Sequence, residues 1–169
     1  LIFPDTGIYW YHPHMREDIQ QDLGLYGNML VDPVADGYYQ PVNREEVIVL
    51  DDLLMDDNGL LPYGDESPTH ALMGRFGNVM LVNGSTDYRL NVDKGDVVRF
   101  YITNVANSRT FNAVFGGAPI KIVASDVSKY ERESRVGSVI IAPAERYVVE
   151  VLFEESGSFE ITNSIQAIN

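Results

Sequence analysis

The sequence predicts an all-β fold, a sandwich or barrel of short strands, and three observations carry that expectation. Apolar, β-branched and aromatic segments of strand length recur along the chain, with Gly, Asn, Asp and Pro between them. Within "DVVRFYITNV" (96–105), Val98, Phe100 and Ile102 share one face while Arg99, Tyr101 and Thr103 share the other, the alternation of a half-buried antiparallel strand. Helical periodicity is confined to one stretch, "MREDIQQDLG" (15–24), where Ile19 and Leu23 stand four apart and Gly24 offers a stop.

Taken in order, "GIYWYHPH" (7–14) is aromatic and β-favouring and predicts the first strand, and "GLYGNMLV" (24–31) predicts the second after the short helical stretch. "EEVIVLDD" (45–52) alternates less cleanly, and "NVMLVNG" (78–84) closes on an Asn-Gly turn. "YRLNV" (88–92), "DVVRFYITNV", "RTFNAVF" (109–115), "PIKIVAS" (119–125), "RVGSVIIAP" (135–143), "RYVVEVLF" (146–153) and "GSFEIT" (157–162) complete the strand set. The segment 55–77 shows no period and reads as a long loop, the kind that crosses a surface or serves a function. A boundary falls in "VDPVADGYYQPVNREE" (31–46), where Pro33, Gly37, Pro41 and a polar run separate the first strands from the rest. Two strands cannot bury a core alone, so the first part must lean on the second or on other polypeptide.

A formal charge of −13, from 25 acidic against 12 basic residues among 169, excludes nucleic acid and anionic membrane surfaces as partners. The acids are dispersed and read as a solubility device. There is no cysteine, which removes disulfides, thiol nucleophiles, Fe–S clusters and thiolate-bound metals from this chain. No apolar run reaches membrane-spanning length. The opening "LIFPDTGIYWYHPH" reads as the middle of a strand–turn–strand unit, so a piece of a longer polypeptide is expected.

Two of the three histidines, His12 and His14, stand one residue apart. In an extended strand both rings face one way and Pro13 the other, with the imidazoles roughly 6 to 7 Å apart. That spacing suits two rings reaching different metals of a close pair, or one reaching a metal and the other a neighbour. Two surface histidines near a turn, or an aromatic cluster with Trp10 and Tyr11, fit the same pattern, and a pair of ligands closes no metal site. Glu17 and Asp18 could accept from a ring N–H or a bound water, or simply form a charged surface.

The motifs together resemble one family. "FPDTGIYWYHPH" followed by "GLYGNMLV" is similar to the end of the first cupredoxin domain of a laccase-like multicopper oxidase, where a Trp-Tyr-His-x-His strand precedes a Gly-Leu-x-Gly strand. "VMLVNG", "LNVDKGDVVRFYITNVANSRTF" and "IVASD…VIIAPAERYVVEV" resemble the middle domain of the three-domain members. The resemblance implies a cupredoxin-like Greek-key β-sandwich. Residues 1–36 would be the C-terminal part of the first domain, 37–44 a linker, and 45–169 a middle domain without copper ligands. It further implies that His12 and His14 each bind a different copper of the type 3 pair in a trinuclear cluster. That cluster reduces dioxygen to water with single electrons drawn from a phenolic, aromatic amine or metal-ion donor. The other His-x-His motifs and the type 1 Cys do not occur in this sequence, so this chain alone is expected to be inactive and to need the first- and last-domain segments of the same oxidase. A periplasmic or extracellular location is implied by the resemblance only. The alternative is a non-catalytic cupredoxin-like scaffold or interaction module that has lost its coppers. Retention of both histidines favours the oxidase.

Other candidates read as structural. His70 is expected on an exposed loop, "DDLLMDDNG" (51–59) as a solvated acidic turn without EF-hand spacing, and Glu145 with Arg146 as an ion pair at a strand start. The five methionines form no Met-rich stretch.

Overall fold

The computed structural model describes residues 2–64 and 67–164. Its strands are β1 (Gly7–Tyr11), β2 (Gly27–Val31), β3 (Arg44–Leu53), β4 (Met55–Asp56), β5 (Gly59–Leu60), β6 (Val79–Val82), β7 (Val97–Asn104), β8 (Phe111–Phe115), β9 (Ile120–Ser125), β10 (Ser128–Val136), β11 (Val139–Ile141), β12 (Arg146–Leu152) and β13 (Ile161–Asn163). Two short helices, α1 (Glu17–Asp22) and α2 (Ser67–Met73), interrupt them.

A six-stranded sheet in the order β10-β9-β12-β7-β3-β6 faces a three-stranded sheet, β11-β8-β13. The β3–β7 pair is parallel, and the other pairings are antiparallel. Ile48, Phe100, Ile102, Phe111, Phe115, Ile141 and Val149 fill the space between the sheets, with Phe100 and Phe115 in tilted ring contact at 5.1 Å. Burying each such side chain stabilises the sandwich by about 1.5–3 kcal/mol.

The strand β7 departs from the half-buried expectation. Val98, Phe100 and Ile102 point into the sandwich, but Arg99, Tyr101 and Thr103 are also at most 3% exposed. The cause is a second layer. The β1–β2 hairpin lies on the outer face of the six-stranded sheet, where Ile8, Tyr101, Val123, Ala124 and Val148 form a separate cluster with Leu30 and Tyr39. Polar bonds fix it there: Ile8 N–H donates to Asp126 O at 3.0 Å, Thr103 Oγ1 donates to Asn28 Oδ1 at 2.8 Å, and Arg146 Nε donates to Ile8 O at 3.3 Å. The hairpin that cannot fold alone therefore borrows the back of the sheet.

Three further elements differ from the expectation. "YRLNV" joins no ladder, although Tyr88, Leu90 and Val92 pack against the core. Alternation reports which side chains turn inward, and here they do so without a backbone partner. The charged strand β10 carries no apolar alternation because it is a sheet edge, where Lys, Glu and Arg discourage further pairing. The segment 55–77 holds the small β4–β5 hairpin and α2, and places the half-buried His70 on α2.

Two of the side-chain readings also change. Asp51 and Asp52 are 3% and 4% exposed, so the acidic stretch begins in the interior rather than in solvent. Asp52 Oδ2 accepts from Arg109 Nε at 2.7 Å and from Gly77 N–H at 2.5 Å, and Asp51 Oδ2 accepts from the Tyr26 hydroxyl at 2.9 Å. Arg146 pairs with Asp126 at 3.1 Å, while Glu145 Oε2 accepts from Ala142 N–H at 2.7 Å. The Asn-Gly turn is as expected: Asn83 and Gly84 take φ of 51° and 74°, and Val82 and Ser85 exchange both backbone bonds at 3.0 Å.

Candidate metal centre

The ladder of β1 ends at Tyr11, opposite Gly27, so His12, Pro13 and His14 lie just beyond the strand. The alternation nevertheless persists past its end. Trp10, His12 and His14 form a column of rings: Trp10 and His12 stack at 4.2 Å between centroids, 13° from parallel, and His12 and His14 follow at 4.6 Å with a 39° tilt. The rings are closer than an extended strand would hold them, because the chain leaves strand geometry at residue 12 to turn towards α1.

Glu17, the first residue of α1, brings its carboxylate to the same place. Its Oε2 lies 3.5 Å from His14 Nδ1, and one donor atom each from His12, His14 and Glu17 all fall within 4.8 Å of one another. Asp18 turns away. Arg16, at φ 48°, grips it with a two-pronged fork of 3.0 and 2.9 Å, which holds the Asp18 carboxyl below the usual carboxylate range. Glu17 thus joins the histidine pair and Asp18 does not.

The surroundings of the His12 ring give a direct indication. Its Nδ1 is buried yet meets no hydrogen-bond partner among the described residues. A buried nitrogen with an unused lone pair is costly unless something binds it. Neutral imidazole is the commonest nitrogen ligand for copper and zinc, and a neighbouring carboxylate is a common companion. The donor set therefore fits a first-row transition ion, with further ligands needed to complete any site.

Behind the histidines, α1 is held by contacts that the sequence did not reveal. Of the apolar pair, Ile19 is only half-buried and Leu23 is 61% exposed. The buried positions are Gln21 and Asp22. Gln21 Nε2 donates to Val105 O and Asn107 Oδ1, both at 3.2 Å. Asp22 accepts from Asn107 Nδ2 at 2.6 Å and from the Tyr63 hydroxyl, and pairs with Arg75 Nε at 3.4 Å. The Arg75 guanidinium in turn lies 4.1 Å over the Tyr63 ring. Burial pushes the Asp22 carboxyl up, against the lowering effect of those partners. The helix closes on a Schellman turn, as Gly24 suggested: Gly24 N–H bonds Gln21 O at 2.7 Å and Leu25 N–H bonds Gln20 O at 3.0 Å.

The chain as a whole is similar to known proteins. The family model described as multicopper oxidase matches residues 44–169. The chain is 28% identical to a laccase of Bacillus subtilis over 93% of its own length and 33% of the relative's. It is 28% identical to the multicopper oxidase MmcO of Mycobacterium tuberculosis, over 88% of this chain and 34% of that one. A cell division protein, FtsP of Proteus mirabilis, is 30% identical over 68% of this chain and 23% of its own. Among solved structures, a multicopper oxidase from Pseudomonas thermotolerans superposes with a TM-score of 0.81 at 27% identity, covering 94% of this chain and 38% of the other. The chain thus spans about a third of the length of the curated relatives it matches. No helix among the described residues is long and apolar enough to cross a membrane. With its sandwich and these relatives in agreement, the chain belongs to the multicopper oxidase family.

Proposed function

We propose that this chain is a segment of a copper-dependent oxidoreductase that couples one-electron oxidation of a donor to reduction of dioxygen to water. His12 and His14 supply two ligands, one to each copper of a type 3 pair, and residues 45–169 act as a spacer domain that carries none. Residues 1–36 belong to the preceding cupredoxin domain and 37–44 link the two. The remaining ligands come from first- and last-domain segments of the same polypeptide. The observation that carries the reading is the buried, unpartnered Nδ1 of His12 beside His14 and Glu17.

When bound, copper supplies the one-electron redox chemistry that neither imidazole nor carboxylate possesses. This chain's residues do the holding. Trp10 fixes the plane of the His12 ring, and Glu17, 3.5 Å from His14 Nδ1, stands where it can orient the second ring. The donor is a phenol, an aromatic amine or a low-valent metal ion. A laccase-like relative from Ochrobactrum, 28% identical, is described as oxidising lignin model compounds, which supports a phenolic donor here. Export to the periplasm or the cell exterior belongs to the same reading.

The test is His12→Ala/His14→Ala in the full-length polypeptide that carries this chain, followed by copper content and dioxygen uptake with a phenolic donor. Loss of dioxygen reduction together with lost copper is the expected result. Retention of full activity and full copper content in that variant overturns the reading.

A further inference from the structure

We infer that Asn107 and Tyr63 form a clasp that positions the histidine pair from the neighbouring domain. The inference rests on the reading of His12 and His14 as copper ligands.

Four observations lead to it. The helix α1 has only six residues and begins three positions after His14, so its placement sets the path of the turn that carries both rings. A helix this short has no stability of its own in water, and tertiary contacts must fix it. Apolar contact is slight, because Ile19 is its one apolar side chain and only half-buried, and Leu23 and Leu25 just beyond it are 61% and 54% exposed. The polar contacts come from Asn107, Tyr63, Arg75 and the Val105 carbonyl, and of these Asn107 and Tyr63 each reach both Asp18 and Asp22.

Asn107 donates from Nδ2 to Asp18 O at 2.8 Å and to Asp22 Oδ1 at 2.6 Å, and accepts from Gln21 Nε2 at 3.2 Å. Tyr63 donates its single hydroxyl proton to Asp22 Oδ2, with Asp18 O 3.2 Å from the same hydroxyl. Asn107 therefore grips one carbonyl in the first turn and one carboxylate in the last, while Tyr63 holds that same carboxylate from its other oxygen, and together they fix the helix axis as well as its position. Asn107 stands three positions past the end of β7, and Val105 and Ala106 between them are 1% exposed, so the clasp is rooted in the sandwich core. Neither residue touches the histidines. Each acts through α1, and Glu17 on that helix carries the effect to His14.

The clasp makes the copper-free domain a part of the metal site's geometry. Loosening it should leave the sandwich intact and let the turn over residues 12–17 drift. Outlying partners that orient metal ligands typically change metal affinity by roughly 10- to 100-fold.

The experiment uses the full-length polypeptide with Asn107→Ala, Tyr63→Phe, and both. Tyr63→Phe keeps the ring against Arg75 and removes only the hydroxyl. Backbone amide exchange is read in the copper-free protein over residues 12–22 and, as a control, over β7 and β12. Copper affinity is read by titration with the metal alone. The expected result is faster exchange over 12–22 with β7 and β12 unchanged, and copper affinity lower by about 10-fold or more. Wild-type exchange over 12–22, or wild-type copper affinity, overturns the clasp. Should Asn107→Ala lose protection in β7 as well, Tyr63→Phe alone decides between these outcomes. Wild-type copper binding in His12→Ala/His14→Ala would instead remove the ligand reading, a failure that the clasp variants cannot mimic.

Discussion

Trp10 and His12 lie face to face, their ring centroids 4.2 Å apart and their planes within 13° of parallel. The indole occupies one face of the imidazole and leaves the ring edge, where the nitrogens are, for other partners. Because Trp10 belongs to the β1 ladder opposite Asn28, the orientation of His12 is inherited from a strand pair rather than from a mobile turn.

Removing the indole should therefore cost metal binding more than folding. Ring stacking contributes about 0.5–1.5 kcal/mol, so Trp10→Ala should weaken copper binding at the histidine pair by roughly 2- to 12-fold in the full-length polypeptide. Trp10→Phe, which keeps a stacking ring, should recover most of the loss. Copper titration of the three proteins checks this, and equal affinities across them would separate the stack from the metal site.

On the outer face of the six-stranded sheet, Arg99 and Glu150 form an ion pair at 2.6 Å with side chains 4% and 5% exposed. Glu150 also binds Lys121 at 2.6 Å, and Arg99 lies 4.6 Å over the Tyr39 ring. Arg99 also pairs with Glu45 at 2.5 Å, so losing Glu150 removes charged hydrogen bonds without leaving the guanidinium unpaired, a cost of about 1.5–3 kcal/mol. Glu150→Ala should lower stability by that order. Lys121→Ala, at a more exposed position, should cost about 1 kcal/mol or less. Urea unfolding of the two variants beside the wild type gives the comparison.

The strands were legible wherever a face is apolar, and β7, β8, β9 and β12 fall where alternation and turn residues put them. What escaped was set by partners rather than by pattern. The strand β10 is charged because it is an edge, and nothing in "SKYERESRV" distinguishes it from a loop until β9 lies beside it. The burial of Arg99 follows from Tyr39 and Gln40, about sixty positions earlier, and from Glu150 on the neighbouring strand. Its letters advertise a surface residue. At the site, the shared face of His12 and His14 was readable from a two-residue period, but their close approach was not, because the strand stops before them. Asn107 and Tyr63 gave no signal, since single polar residues in loops carry no periodicity.

Burial pushes the Asp51 carboxyl up to about 6, against the lowering effect of the bonds from Tyr26 and the Asp52 N–H. An unfolded chain would hold it near 4. The folded state thus binds the extra proton between roughly pH 4 and 6, so this group's contribution is full below that window and is lost as pH rises through it. The shift corresponds to about 3 kcal/mol. Asp51→Asn mimics the neutral form, with its carbonyl able to face the Asp52 N–H. It should match the wild type near pH 4 and exceed its stability by up to about 3 kcal/mol near pH 7. Denaturant unfolding at both pH values checks the sign: a variant less stable than wild type at neutral pH would show that the charged carboxylate is the favoured form.

Gly7 is where the hairpin meets the sheet behind it. Its φ is +147°, a region that L side chains rarely adopt, and a Cβ built there would stand 2.5 Å from Asp126 O and 2.6 Å from Val127 Cα. Those are backbone atoms of the turn between β9 and β10, and they cannot swing aside as a side chain can. The next residue, Ile8, is fully buried and donates its N–H to Asp126 O at 3.0 Å. Gly7→Ala must therefore push β1 away from that turn, breaking this bond and opening the cluster of Ile8 with Val123 and Val148. The loss of one buried bond and partial exposure of Ile8 together predict a destabilisation of about 2–4 kcal/mol. The core between the two sheets lies on the far side of β7 and does not share these contacts, so the effect should be local. Amide exchange should rise in β1 and β2 of Gly7→Ala while β8 keeps its protection. Uniform loss of protection across β8 as well would show that the hairpin and the sandwich fold as one cooperative unit.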